Sequence, residues 1–398
     1  MKAISDELRA AAEAIVSEEE QGFRTYLLAA AQAFLDNDWF AADEAWLAMG
    51  STPTKWYLRV GPDEVYFEPC NRKAGFHMSL ARIDPSSLEW RERLEPVKAD
   101  MEQALAELAG PPYAARDIAF HLPDFIHIVL NAGDSRDNMG GAIGQSLPNW
   151  GPVAEKGGRT VVMTNLYTDA DSVAAHRVRL EATFCPETIG QFGEGGYMYV
   201  MTTVLHEAAH NLGPGHSYLV DGKADGEVFG GGLSSVMEEL KAQTAAMYYT
   251  DWLAERDLIE KTEVLQAHAA DTAWGLQKFT GGFVTPSGSP KAYSQLAAVQ
   301  IGYFLEKGAI TWHPDAMAVN GEDQGCFQVH SDIMPGAVRE LMAEVASIKA
   351  RGDKEAAEAL RQKYIFSKEG DFAHLRDEVT PPRWQRGGKE SFIYAVRY

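Results

Sequence analysis

The chain has 398 residues, 45% hydrophobic and 23% charged, the proportions of a globular protein long enough for two or three domains or one enzyme of two lobes. Its formal charge of −21 argues against nucleic acid or an anionic membrane as a partner, since both need a basic face. The three cysteines, Cys70, Cys185 and Cys326, lie far apart with no Cys-x-x-Cys pair, so neither a disulfide framework nor a thiolate metal site is expected.

The first fifty residues read as amphipathic helices rich in Ala, Leu and Glu. Their acidic start lacks the basic residues and apolar core of a secretory signal. The run YLLAAAQAFL (Tyr26 to Leu35) is too short to span a bilayer, so a cytoplasmic protein is expected. KWYLRV (Lys55 to Val60) and DEVYFEP (Asp63 to Pro69) then alternate in aromatic and β-branched residues, and the Gly61-Pro62 step between them predicts a hairpin turn. Helix returns over 86–109. FIHIVL (Phe125 to Leu130) and RTVVMTNLY (Arg159 to Tyr167) read as buried strands, separated by a long loop rich in Gly and Asn of the kind that either binds ligands or is disordered.

From about Gly195 onward helical patterns dominate, over 197–212, 235–255, 257–278, 290–307, 335–350 and 353–364. The tail from Asp371 reads as irregular and surface-bound. These elements predict an α+β fold of two lobes with a cleft between them. Residues 1–190 form a mixed lobe with a small antiparallel β-barrel or sheet, and 191–370 a mostly helical lobe. Residues 371–398 pack back across both.

The sharpest motif is HEAAH, His206 to His210. On a helix the two histidines stand one turn apart on one face and can hold a single zinc ion, with Glu207 beside them to act as general base. The apolar run YMYVMTTVL before the motif buries that helix, and Gly213-Pro214 ends it.

Two third ligands compete. His216 follows His210 by six residues with Gly213 midway, the spacing of HExxHxxGxxH, and Met237 would have to supply the methionine turn that accompanies that pattern. The rival is SSVMEELKAQTAAMYY (Ser234 to Tyr249), in which Ser235 and Glu238 read as a capping box and Glu239 falls in the first helical turn. Acidic first turns also occur simply to offset the helix dipole.

Taken in order, HEAAH and EELKAQ (Glu238 to Gln243) resemble the zinc-dependent dipeptidyl peptidase III family, most closely its shorter bacterial members. The resemblance implies His206, His210 and Glu239 as ligands of one Zn²⁺ per chain, Glu207 as general base, and Glu238 as a carboxylate orienting a histidine, with Gln243 in the matching position on the same helix. It extends to GPDEVY (Gly61 to Tyr66) and SLPNW (Ser146 to Trp150), which look like the family's amino-end subsite. There Glu64, Tyr66, Asn149 and Ser146 would hold the α-ammonium end of a peptide.

Three positions depart from the family pattern. Gln243 stands where an acid is usual, Ser146 where an asparagine is usual, and Tyr293 where a histidine is usual. Tyr293 can still donate a hydrogen bond to an oxyanion, though it carries no positive charge. The function expected is therefore a zinc metallopeptidase-like hydrolase that cleaves short peptides near the N-terminus by zinc-activated water. The alternative is a zinc hydrolase or lyase of the same fold with a small non-peptide substrate. A binding protein with a vestigial site is a third reading.

Other polar residues carry weaker signals. His313 and His330 read as structural histidines, Arg383 and Arg386 as solvated groups that could instead clamp a carboxylate, and Trp150 as core. Asp134 and Arg136 read as ordering their own loop. Gly230 to Gly232 lack the Lys-Ser/Thr step of a phosphate-binding loop.

Overall fold

The computed structural model of the chain describes residues 1–50, 54–63, 75–118, 120, 122–133, 144–148, 151–155, 158–193 and 195–386. They form two compact units, one from residues 1–90 and 122–169, the other from residues 91–118 and 170–386. The class is α+β, as the sequence predicts.

In the first unit three helices, α1 (Lys2–Ala14), α2 (Gln21–Asp36) and α3 (Phe40–Met49), accompany a five-stranded sheet. Its strands are β1 (Trp56–Asp63), β2 (Gly75–Ile83), β3 (Asp124–Gly133), β4 (Gly144–Leu147) and β5 (Arg159–Met163), in the order β1-β2-β3-β5-β4. The sheet is mixed, because β3 and β5 run parallel. Tyr26, Ala30, Trp46, Tyr57, Ile126 and Val161 are fully buried where the helices meet it.

The turn expected at Gly61-Pro62 does not occur. β1 continues through it, pairing Gly61 with His77 and Pro62 with Phe76. Two features explain this. β1 is an edge strand, where a proline without an N–H can be accommodated. Gly61 sits at φ 153°, and a Cβ there would come within 2.8 Å of the Trp39 ring, so the glycine makes room for a packed indole rather than a bend. Below it, Arg59 is buried between Asp43 (2.7 Å) and Asp63 (2.6 Å).

The second unit is built from α4 (Lys98–Ala109), α5 (Tyr197–His210), α6 (Gly231–Ala254), α7 (Lys261–Lys278), α8 (Ala292–Glu306) and α9 (Met334–Arg351). Helix α6 is its axis. Apart from Ser235, Glu239 and Asp251, every residue from Leu233 to Leu253 is buried, and α5, α7, α8 and α9 all pack on it. A helix apolar on every side is a core helix. The half expected to be helical also carries an antiparallel hairpin, β6 (Ile310–Met317) with β7 (Gln324–Val329). Nor are the described residues of the tail, 371–386, irregular. They make short helical turns as far as Trp384, with Arg376 buried and donating to the carbonyls of Tyr364 (2.7 Å) and Ser367 (3.0 Å).

A disulfide joins Cys185 to Cys326, against expectation. Their separation of 141 residues hides the pairing from any sequence pattern. It arises because Phe184 bridges to Phe327, which sets the two cysteines side by side with a Cα–Cα distance of 5.1 Å. Replacing both cysteines by serine is expected to lower stability by about 2–4 kcal/mol, because a long loop in the unfolded chain is released. Urea unfolding without reductant checks this; a midpoint equal to the parent's would show that the bond does not form in solution.

Candidate metal centre

The apolar face of α5, including Met198, Met201, Val204, Leu205, Ala208 and Ala209, is buried against α6, and this sets the HExxH turn facing its neighbour. The C-terminal end of α5 is fixed by Lys241. This fully buried lysine donates to the carbonyls of Ala209 (2.6 Å) and Leu212 (3.0 Å), placing a cation at the negative end of the helix dipole. Beyond it Gly213 turns the chain at φ 66°, its N–H donating to buried Glu102 (2.7 Å).

Helix α6 does not begin at Ser235. It begins at Gly231, with Gly230 at φ 85° before it, and the Ser235 hydroxyl donates back to the Gly231 carbonyl (3.3 Å) instead of capping. Glu238 and Glu239 therefore lie in the third turn, beyond the reach of the N-terminal dipole, which removes dipole compensation as the reason for them.

His206, His210 and Glu239 form a group that could hold a metal ion. The Nε2 atoms of the two histidines approach to 3.1 Å, and Glu239 Oε2 lies 3.1 Å from His206 Nε2 and 3.7 Å from His210 Nε2. Both Nδ1 atoms are committed, His206 Nδ1 to Gln243 Oε1 (2.9 Å) and His210 Nδ1 to Glu238 Oε1 (2.8 Å). An acceptor at each Nδ1 places the ring proton there and leaves a lone pair on each Nε2. Two lone pairs and a buried carboxylate oxygen then face one point, and that donor set fits a divalent cation with an open coordination position.

Behind these three residues lies an ion network. Glu238 is fully buried, bonded to Lys241 Nζ (3.0 Å) and Lys349 Nζ (2.8 Å). Burial alone would raise its carboxyl, but the two ammonium groups outweigh it and hold it well below the usual carboxylate range. Lys349 also pairs with buried Asp225. On the other side Gln243 Nε2 donates to Asp271 Oδ1 (3.1 Å), and burial pushes the Asp271 carboxyl up to about 7.

Glu207 follows His206 on α5, is half-buried, and lies close enough for its charge, opposing the effect of burial, to favour protonated His206. Tyr293 reaches the site as well: its ring is 6.3 Å from that of His206, edge-on to Trp274, and 46% exposed. His216 does not reach it. It is exposed, with Nδ1 3.8 Å from Asp225, and falls in a second group with Asp225 and Glu238 whose carboxylates already hold Lys349. Met237 is a buried helical residue rather than part of a turn.

Ser146 lies in edge strand β4 of the first unit, its backbone opposite Thr160. Glu64, Tyr66, Asn149, Asp134, Arg136 and Trp150 lie outside the described residues. Arg383 is neither solvated nor a clamp: it is buried over the Trp312 ring and donates to the carbonyls of Ala182, Gln324 and Gly325. Arg386 pairs with Asp323. His313 and His330 both meet the Thr311 hydroxyl (2.9 and 2.8 Å). Lys349, Asp225 and Asp271 were not singled out from the sequence. The one available signal was His268-x-x-Asp271, two polar residues at helical spacing in an Ala-rich run.

No family model matches the chain. Among curated proteins it is 25% identical over 338 residues to Nudix hydrolase 3 of Arabidopsis thaliana, covering 84% of this chain and 40% of that protein. The chain thus spans about two fifths of the length of that relative. Among solved structures it resembles dipeptidyl peptidase III from Caldithrix abyssi, with a TM-score of 0.78 at 23% identity, covering 98% of this chain and 69% of the other. It also resembles dipeptidyl-peptidase III from Corallococcus sp. strain EGB, with a TM-score of 0.62 at 24% identity, covering 91% and 63%. The chain has a dipeptidyl peptidase III-like fold.

Proposed function

We propose that this chain is a zinc-dependent hydrolase that cleaves short peptides near their amino end, with His206, His210 and Glu239 holding the metal and Glu207 as general base. The observation that carries this is the convergence of two imidazole lone pairs and one carboxylate oxygen while both Nδ1 atoms are bonded elsewhere. The dipeptidyl peptidase III-like fold supports it.

Zinc bound there would act as a Lewis acid on the scissile carbonyl and acidify the attacking water. Glu207, beside the histidines, takes the proton from that water and returns it to the leaving amine. Tyr293 would donate a hydrogen bond to the developing oxyanion, which its ring lying near that of His206 and its half-exposed side chain support. Glu64, Tyr66, Ser146 and Asn149 are the residues we assign to the substrate's amino end. A free α-ammonium group needs a carboxylate partner, and Glu64 supplies one.

A second reading keeps the metal and changes the substrate to a small non-peptide molecule. Gln243, Ser146 and Tyr293 favour it, as does the likeness to a protein named a Nudix hydrolase. Metal analysis of the purified protein and a panel of chromogenic dipeptidyl substrates separate the two. The peptidase reading expects one zinc per chain and dipeptide release that N-acetylation abolishes. Stoichiometric zinc without release from any peptide supports the second reading. Absence of zinc overturns both.

A further inference from the structure

We infer that Asp271 is a positioning residue for the candidate metal centre, setting through the Gln243 amide which ring nitrogen of His206 carries the proton. The inference rests on the zinc site proposed above and adds a residue from a third helix to it.

The two histidines are supported differently. His210 Nδ1 meets a carboxylate, Glu238, which can only accept. His206 Nδ1 meets a primary amide, and an amide can present either its oxygen or its nitrogen. If the oxygen faces the ring, Nδ1 carries the proton and Nε2 points a lone pair at Glu239 and His210. If the NH₂ faces the ring, Nδ1 must be the acceptor and the proton moves to Nε2, which then cannot ligate.

The choice is made at the other end of the amide. Gln243 Nε2 donates to Asp271 Oδ1 at 3.1 Å. Asp271 is 4% exposed and lies on α7, and its carboxyl also takes a hydrogen bond from the Thr202 side chain, so the groups facing it are donors. When ionised, Asp271 can only accept, so it takes the NH₂ and refuses the carbonyl. The amide is thereby fixed with its oxygen toward His206. A chain of two hydrogen bonds, 2.9 and 3.1 Å, carries this choice from α7 through α6 to α5. All three side chains in it are buried, where an ill-matched hydrogen bond costs most. His268, one turn before Asp271, is fully buried with its Nε2 3.3 Å from Asp251, so the polar line continues along α7.

The test is zinc affinity of the full chain without substrate, measured by competition with a chromophoric chelator. Asp271→Leu keeps the side-chain size and removes the acceptor; Gln243→Met does the same for the amide. Each is expected to weaken zinc binding by about 10–100-fold, the usual effect of losing a partner behind a ligand. The double variant is expected to bind no more weakly than either single variant, because both act on one contact. Adding Gln243→Glu to the Asp271→Leu variant sets a carboxylate directly on His206 and is expected to restore affinity to within about threefold of the parent.

Unchanged affinity in folded Asp271→Leu, or effects that multiply in the double variant, would overturn the inference. Should the variants fail to fold, nitrogen NMR of the parent's histidine rings decides it, since a neutral His206 ring with its proton on Nε2 in the metal-free chain is incompatible with it. A parent that binds no zinc refutes the metal assignment itself. A parent that binds zinc with no coupling between Asp271 and Gln243 refutes only this inference.

Discussion

Glu207→Gln is expected to leave zinc content unchanged and to lower kcat by about 10²–10⁴-fold, the range general-base catalysis supplies. The two outcomes belong together because of where Glu207 stands. It shares a helical turn with His206 and His210 but is not among the three residues whose ligand atoms converge. Glutamine has nearly the same shape, so the α5–α6 packing that aims the ligands is preserved. What it lacks is a site for the proton that the attacking water must lose. Metal analysis and steady-state kinetics on whichever substrate the panel identifies provide the check. Full activity in the variant would remove Glu207 from the mechanism, and loss of metal would mean that it ligates.

Lys349→Met is expected to lower folding stability by about 3–5 kcal/mol, because a buried ion network loses one of its two cations. Lys349 is fully buried and bonds both Asp225 and Glu238. Without it Asp225 keeps, among the described residues, exposed His216 at 3.8 Å and the more distant charge of Lys241, and Glu238 keeps Lys241 and His210. The methionine has a similar volume, so the cost is electrostatic rather than a cavity. Zinc affinity should fall with it, since Glu238 orients His210. Urea unfolding and chelator competition measure the two effects. A stability within 1 kcal/mol of the parent would show that Asp225 and Glu238 do not depend on this cation.

The parts of the candidate site that could be read from the sequence are the local ones. Two histidines at i and i+4 are neighbours on any helix, so HEAAH needs no tertiary information. Glu239 followed from a second motif in the right order. The start of its helix was misplaced because Ser-x-x-Glu resembles a cap, whereas a left-handed Gly230 begins the helix four residues earlier. Lys349 and Asp225 could not be read, because they meet across a long sequence separation with no pattern of their own, and Asp271 offered only its helical spacing from His268. Gly61-Pro62 misled for a related reason: a turn dipeptide and an edge-strand dipeptide are the same two letters, and only the Trp39 ring above Gly61 decides between them. The disulfide was missed because cysteine spacing along the chain carries no information about two segments brought together by a bridge at Phe184 and Phe327.

Helix α6 has a consequence for engineering. Glu238, Glu239, Lys241 and Gln243 all lie within six consecutive residues of one helix that is enclosed by four others. One rigid rod therefore carries a candidate metal ligand, the partners of both histidines and the anchor for the end of α5. Tyr293, by contrast, is half-exposed at the first turn of α8. On the reading proposed above, a library confined to exposed residues beside Tyr293, with Tyr293 itself kept, would vary the surroundings of the candidate site without touching that rod, and zinc content would check that the metal site survives.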